Sequence, residues 1–417
     1  MAGVLSCRDC LALSLYFFVG LGSWLLVTAV FAEASFFVNV LGKDKTLYSS
    51  LDLAVQCANI VPAVVVMHSL LPSQRRTVRP GTAKRRNSIL VGALYCVAVA
   101  SWCVLAAAGR KGKASTVDAG SVRTMLMIGS VGAGIVGSTS MVSFFGIIQH
   151  GHANGFAAMS TGIGVCGLVT QVLAVIQGLG SSSTPPRFSV HTFFLSGLCL
   201  QLVSAAAFAV LVRSAKVTTE SQSSDSQEAA LLEEGSGEAF PEEEESILVL
   251  LKRNIYVLRN ITVSCAMEYA VPGLLPYLVP ESGSKTMPGT DTFWITLWFF
   301  VGSCLGRLAS GLRNALLQQE KPERLNVYNF AAFCILVYML IISHAVHEKS
   351  SRVPPLGVSA FFVFLFSFIH GFVVTRCFTI AGSKSALLVK LTGMLNQGGA
   401  LCGALATFIL VHVGVIR

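Results

Sequence analysis

Charge is what this chain has least of. Only 12% of its 417 residues are Asp, Glu, Lys or Arg, where a soluble globular domain carries roughly a quarter. With 53% of the residues hydrophobic, a water-soluble fold of this length has no way to hide its apolar surface. Also missing is a Gly-x-x-x-x-Gly-Lys-Ser/Thr phosphate loop, so nothing points to ATP-driven work. No zinc-protease helix is present: His344, His347 and Glu348 read His-x-x-His-Glu and lack the internal acid. Cys7-Arg-Asp-Cys10 has no second cysteine pair to complete a zinc site. With no catalytic constellation in view, neither an enzyme, a metal nor a cofactor is expected.

The twelve cysteines are scattered, mostly within apolar runs, which predicts reduced thiols rather than a disulfide framework. The net charge is +9, but Lys and Arg fall between apolar runs instead of on an aromatic-bearing polar face. Nucleic acid is therefore not an expected partner.

What the chain does have is long apolar runs. A bilayer core of about 30 Å asks for roughly 20 apolar residues per helix. Such runs cover 11–38, 47–71, 88–108, 122–148, 156–180, 190–212, 254–280, 291–316, 327–346, 355–378 and 387–414. The first is too long for the core of a signal peptide. The expected fold is an all-α polytopic membrane protein with about eleven transmembrane helices, in a six-plus-five, major-facilitator-like pair of bundles. Residues 1–212 form the first bundle and 254–417 the second. Between them, 213–253 is rich in Ser, Gln and Glu, including Glu242 to Glu245, and reads as a solvated, disordered cytoplasmic linker.

Orientation follows the positive-inside rule. Arg75, Arg76, Arg79, Lys84, Arg85 and Arg86 after the second span, Arg213, Lys216, Lys252 and Arg253 around the linker, and Arg313, Lys321, Arg324, Arg376, Lys384 and Lys390 later on favour a cytoplasmic N-terminus and an outer C-terminus. Arg110, Lys111, Lys113 and Arg123 run against that pattern.

Polar and ionisable residues inside a membrane are costly and mark cavities. In the first span, Trp24, Thr28 and Phe31 fall on one helical face and offer two aromatic planes and a hydroxyl, though packing or lipid contact explains the aromatics almost as well. Glu33 follows near the outer end of the span. In the fourth span, the hydroxyls of Ser140 and Ser143 in Ser138-Thr-Ser-Met-Val-Ser143 suit either substrate or helix packing. Gly162, Gly164 and Gly167 match only the glycine spacing of a dinucleotide loop, with no strand before them, and read as close-packing positions.

The seventh span, Glu268-Tyr-Ala-Val-Pro272-Gly-Leu-Leu-Pro276-Tyr277, interrupts its own hydrogen-bond ladder as a broken, cavity-lining helix does. Glu268 is placed either to meet substrate or to pair with Arg307 of the eighth span, and Tyr277 follows it. The eleventh span adds the amides Asn396 and Gln397 beside Gly398, Gly399 and Gly403.

Gly20-Leu-Gly-Ser-Trp24, with Glu33 nine residues on, resembles the first helix of the eukaryotic riboflavin transporter family. Thr139-Ser-Met-Val-Ser-Phe144, Val175-Ile-Gln-Gly178, Gly273-Leu-Leu-Pro276 and Gln397-Gly-Gly-Ala-Leu-Cys-Gly-Ala404 are similar to that family in order, as are the span count and the acidic central loop. Thr28 and Met141 stand where the family has Asn, and Ser35 where it has Pro. Gly306-Arg307 resembles a pair in the equilibrative nucleoside transporters, but Ser303 replaces their preceding Asp and their Pro-Trp-Asn is absent. The resemblance implies a plasma-membrane riboflavin transporter working by alternating access in the lipid bilayer; the candidate substrate residues along the spans are Trp24, Thr28, Phe31, Glu33, Ser140, Ser143, Glu268, Tyr277, Arg307, Asn396 and Gln397, with Arg307 decisive for the nucleoside reading. A nucleoside or nucleobase carrier is the alternative.

Overall fold

The computed structural model describes residues 7–41, 44–70, 80–111, 118–144, 155–179, 186–230, 247–279, 290–316, 321–347 and 354–416. Arg75, Arg76, Arg79, Lys113, Glu348 and the acidic run Glu242 to Glu245 lie outside these residues. The described chain is helical. In a bilayer each span must satisfy its own backbone polar groups, and a helix does so without a partner.

The helices of the first half are α1 (Cys7–Val40), α2 (Thr46–Cys57), α3 (Ile60–Leu70), α4 (Pro80–Lys111), α5 (Ala119–Ser143), α6 (Gly155–Gln177) and α7 (Val190–Ala230). Those of the second are α8 (Ile247–Arg253), α9 (Ile255–Glu268), α10 (Val271–Leu274), α11 (Thr290–Leu316), α12 (Leu325–His347), α13 (Leu356–Gly382) and α14 (Ala386–His412). Ten continuous segments among the described residues are long and apolar enough to cross a membrane. The seventh expected span is the broken one: α9 ends at Glu268, Tyr269 and Ala270 form a turn, and α10 runs into a 3₁₀ turn at Leu275–Tyr277. Pro272 and Pro276, each lacking an N–H, enforce the interruptions.

Two elements differ from the sequence-based expectation. The second span is split into α2 and α3 by a turn at Ala58 and Asn59, because Pro62 removes the N–H that would bond the Ala58 carbonyl. Asn59 seals the break, donating its amide to Gln56 Oε1 at 2.8 Å and to the Gln397 carbonyl at 2.9 Å. The sixth span ends at Ser214, close to the expected 212, but its helix does not, since α7 continues to Ala230. Together with α8, it brings helix to both ends of the expected linker.

Within the first half α1 packs on α6 and α7, and α4 on α5 and α7; within the second α11 packs on α13, and α9 on α14 and α13. The halves meet along two seams, α6 against α11 and α2 against α14. Glycines make these approaches possible. A side chain at Gly162 would strike the Phe17 carbonyl of α1, and one at Gly167 the Phe300 ring of α11. On outward faces Val64, Met67, Ile89, Leu312, Val327 and Phe330 are exposed, an apolar surface suited to lipid. The eleven cysteines from Cys10 to Cys402 are free thiols.

Candidate functional site

Where the two halves face each other lies a cavity of about 80 Å³. The first half contributes Trp24, Val27, Thr28 and Phe31 of α1, Tyr48 of α2, Met141 of α5, and Ile163, Gly164 and Cys166 of α6. From the second come Glu268 and Tyr269 at the break of the seventh span, Pro272 and Leu275 beyond it, and Thr296, Phe299, Phe300, Ser303 and Arg307 of α11. His370, Val374 and Asn396 complete the wall. Trp24, His370 and Asn396 each fall well inside their spans, so the cavity lies deep in the membrane.

Its apolar wall is largely aromatic. The Trp24 and Tyr269 rings, one from each half, sit 5.8 Å apart between centroids and are tilted by 43°, a favourable offset arrangement. Trp24 Nε1 has no hydrogen-bond partner, which leaves a donor ready for a ligand. Tyr48 is bonded through its hydroxyl to Ser35, the residue standing where the resembled family has Pro.

The polar wall is anchored by Arg307. It reaches from α11 across the seam, donating through Nη1 to Ser160 Oγ of α6 at 3.3 Å, while Nε lies 3.5 Å from Ser303 Oγ. Ser160 is bonded in turn to Thr375 Oγ1 at 2.7 Å. Gly164 makes room for the arginine, since a side chain there would meet its Cδ. Glu268 Oε2 lies against His370 Nε2. Asn396 Oδ1 accepts from Cys265 Sγ at 2.7 Å.

Of the residues singled out from the sequence, the structure brings Trp24, Thr28, Phe31, Glu268, Arg307 and Asn396 to the cavity. The Thr28 hydroxyl is turned back to its own helix, donating to the Leu25 carbonyl at 3.0 Å. Ser140 and Ser143 are buried off the lining, and their hydroxyls donate to Gly137 and Thr139 carbonyls at 2.7 and 2.8 Å. Glu33 is fully buried outside the cavity with Gln177 beside it. Tyr277 packs with Leu274, Val411 and Ile416, and Gln397 is buried behind Asn396 with its carbonyl bonded to Asn59. α13 brings His370 against the Glu268 carboxylate, while the Arg307 guanidinium turns to Ser160 and Ser303.

Sequence reading did not select Tyr48, Tyr269, Thr296, Ser303 or His370. His370 carried a usable signal, an ionisable residue inside an apolar run. The others resemble ordinary packing residues until the fold gathers them.

A profile described as "Solute carrier family 52, riboflavin transporter" matches residues 8–255. The chain belongs to this solute carrier family. A curated relative, the riboflavin transporter member 3-A of Danio rerio, is 25% identical over 449 aligned residues, covering 94% of each chain. Among solved structures, a point mutant of the nucleoside transporter NupG aligns with a TM-score of 0.55 at 11% identity, over 97% of this chain and 92% of its own. A bacterial homologue of the human lysosomal transporter Spinster, inward-facing and unoccupied, gives 0.51 at 12% identity, over 99% and 86%. Such low identities establish a shared fold, that of two-bundle transporters, and no shared substrate. Family membership makes the protein a multi-pass solute transporter and favours the riboflavin reading over the nucleoside alternative.

Proposed function

We propose that the protein carries riboflavin across the plasma membrane by alternating access, with the cavity between its halves as the substrate site. The observation that carries the reading is the composition of that cavity. It offers aromatic rings from both halves, polar groups at its edge, and balancing charges on Arg307 and Glu268. A neutral flavin asks for this combination: its fused ring stacks on aromatics, the ring's amide edge exchanges hydrogen bonds, and its polyol chain needs hydroxyl and amide partners.

In this reading Trp24, Phe31 and Tyr269 hold the ring, and Arg307, Ser303, Thr296 and Asn396 meet its polar parts. Thr28 shapes the wall beside Trp24. Glu33, Ser140, Ser143, Tyr277 and Gln397 support the wall from behind. Residues 1–212 and 254–417 rock against each other along the α6–α11 and α2–α14 seams, tethered by 213–253. The Lys and Arg bias supports a cytoplasmic N-terminus and an outer C-terminus, which accessibility of terminal epitope tags on intact cells reads directly.

The test is uptake of labelled riboflavin by cells expressing the chain at verified surface levels. Saturable uptake that unlabelled riboflavin suppresses and uridine does not is expected. Uridine accumulation without flavin uptake contradicts the proposal.

A further inference from the structure

Cys265 and Glu268 lie three residues apart on α9 and share a face. His370 of α13 meets them there. One ligand atom from each, a thiol sulfur, a carboxylate oxygen and an imidazole nitrogen, lies within 4.8 Å of the other two, and all three residues are buried. Nothing in the sequence announces this cluster, since its members come from helices far apart in the chain.

The hydrogen bonding of His370 shows what the cluster lacks. Nδ1 lies 2.9 Å from Ser264 Oγ and 3.3 Å from the Ser264 carbonyl oxygen. With the ring proton on Nδ1, where the hydroxyl and the carbonyl can both accept it, the neutral ring keeps a lone pair on Nε2. Nε2 has no hydrogen bond and is turned onto Glu268 Oε2. Two acceptors facing each other in a dry interior need a positive centre between them. A proton meets that need for the imidazole and carboxylate alone. The thiol of Cys265 adds a third, soft donor at the same point, which a proton does not use and a metal does.

We propose that Cys265, Glu268 and His370 bind a soft divalent cation, with Zn²⁺ as the best fit, and that the bound ion holds the carrier shut. Sulfur, imidazole and carboxylate are a donor set that Zn²⁺ accepts and Mg²⁺ does not favour. Small side-chain rotations bring the three atoms to the metal–ligand distances of about 2.0–2.3 Å that Zn²⁺ requires. The Ser264 carbonyl behind Nδ1 is the outer partner that orients a ligating imidazole. On binding, the Cys265 S–H bond breaks and its hydrogen bond to Asn396 Oδ1 is given up; the proton leaves to solvent, and an S–Zn bond forms. Thiolate, carboxylate and neutral imidazole then cancel the dication, so the loaded site is neutral, as a membrane interior demands. Glu268 and His370 both line the cavity, where the fourth position stays open. The ion would tie α9 to α13 just before the turn at Tyr269 and Ala270, at the break of the seventh span.

Binding stands independently of the transport reading; the closure rests on it. The test titrates purified full-length protein with ZnCl₂ calorimetrically, with MgCl₂ as the comparison, for the natural chain, Cys265→Ser and His370→Gln. Metal-free melting curves establish which variants fold, and either folded variant suffices. One Zn²⁺ per chain is expected, with proton release seen as a buffer-dependent heat and an affinity about ten-fold or more weaker in each variant. Mg²⁺ should give no saturable heat. Absence of saturable Zn²⁺ binding, or equal affinity in a folded variant, overturns the site. Riboflavin uptake measured over the same Zn²⁺ range should fall in the natural chain, with half-inhibition displaced about ten-fold in the variants. Uptake untouched by Zn²⁺ that binds here overturns the closure. Zn²⁺ binding that depends on these residues, in a protein with no flavin uptake, upholds the site and removes the transport reading.

Discussion

Trp24 presents an aromatic face and an unpartnered indole N–H at the cavity. Stacking of a heterocycle on an aromatic side chain is worth about 1–3 kcal/mol. Trp24→Ala should therefore raise the riboflavin concentration for half-maximal uptake by about five-fold to a hundred-fold. Trp24→Phe should recover most of that loss by restoring the ring without the donor. Uptake curves at matched surface expression check this, and an unchanged curve for Trp24→Ala would remove the indole from the site. Trp24 and Phe31 were legible in the sequence because helical spacing put them on one face. His370 was not, since its meaning depends on Glu268, brought to it by the packing of α9 on α13. Ser140 and Ser143 turn away from the cavity for a local reason: a hydroxyl within a helix can return its proton to a carbonyl of the preceding turn, as both do here.

At the scale of elements, close helix packing is written in glycines, and its effect depends on what each one faces. On α14, a Cβ added at Gly403 would strike the Ala266 carbonyl of α9, whereas one at Gly398 meets nothing within 4 Å. Gly403→Ala should push the broken span away and destabilise the protein by about 1–3 kcal/mol. Gly398→Ala should be neutral or stabilising by up to about 1 kcal/mol, because it removes the helix penalty of glycine. Melting temperatures in one detergent decide the matter, and equal shifts in the two variants would contradict the packing described. The broken seventh span was readable from Pro272 and Pro276, whose missing N–H groups act locally. The split between α2 and α3 was not read, although Pro62 offered the same kind of signal, because the apolar run continues unbroken through it.

For the whole molecule, the division into six and five spans was legible because the bilayer imposes one length and one polarity on every crossing. The seams between the halves were not, since nothing along the chain says that α6 meets α11 or that α2 meets α14. Those seams turn separate polar and aromatic residues into one cavity with a wall from each half. Flavin fluorescence, which stacking on Trp or Tyr quenches, reports in purified protein whether this shared cavity holds the flavin ring as proposed. Titration should show saturable quenching at one riboflavin per chain. Affinity should weaken about five-fold or more in Trp24→Ala from the first half and in Arg307→Lys from the second, where a single ammonium replaces a fork of donors. Absence of saturable quenching, or an affinity that neither variant changes, would contradict the account.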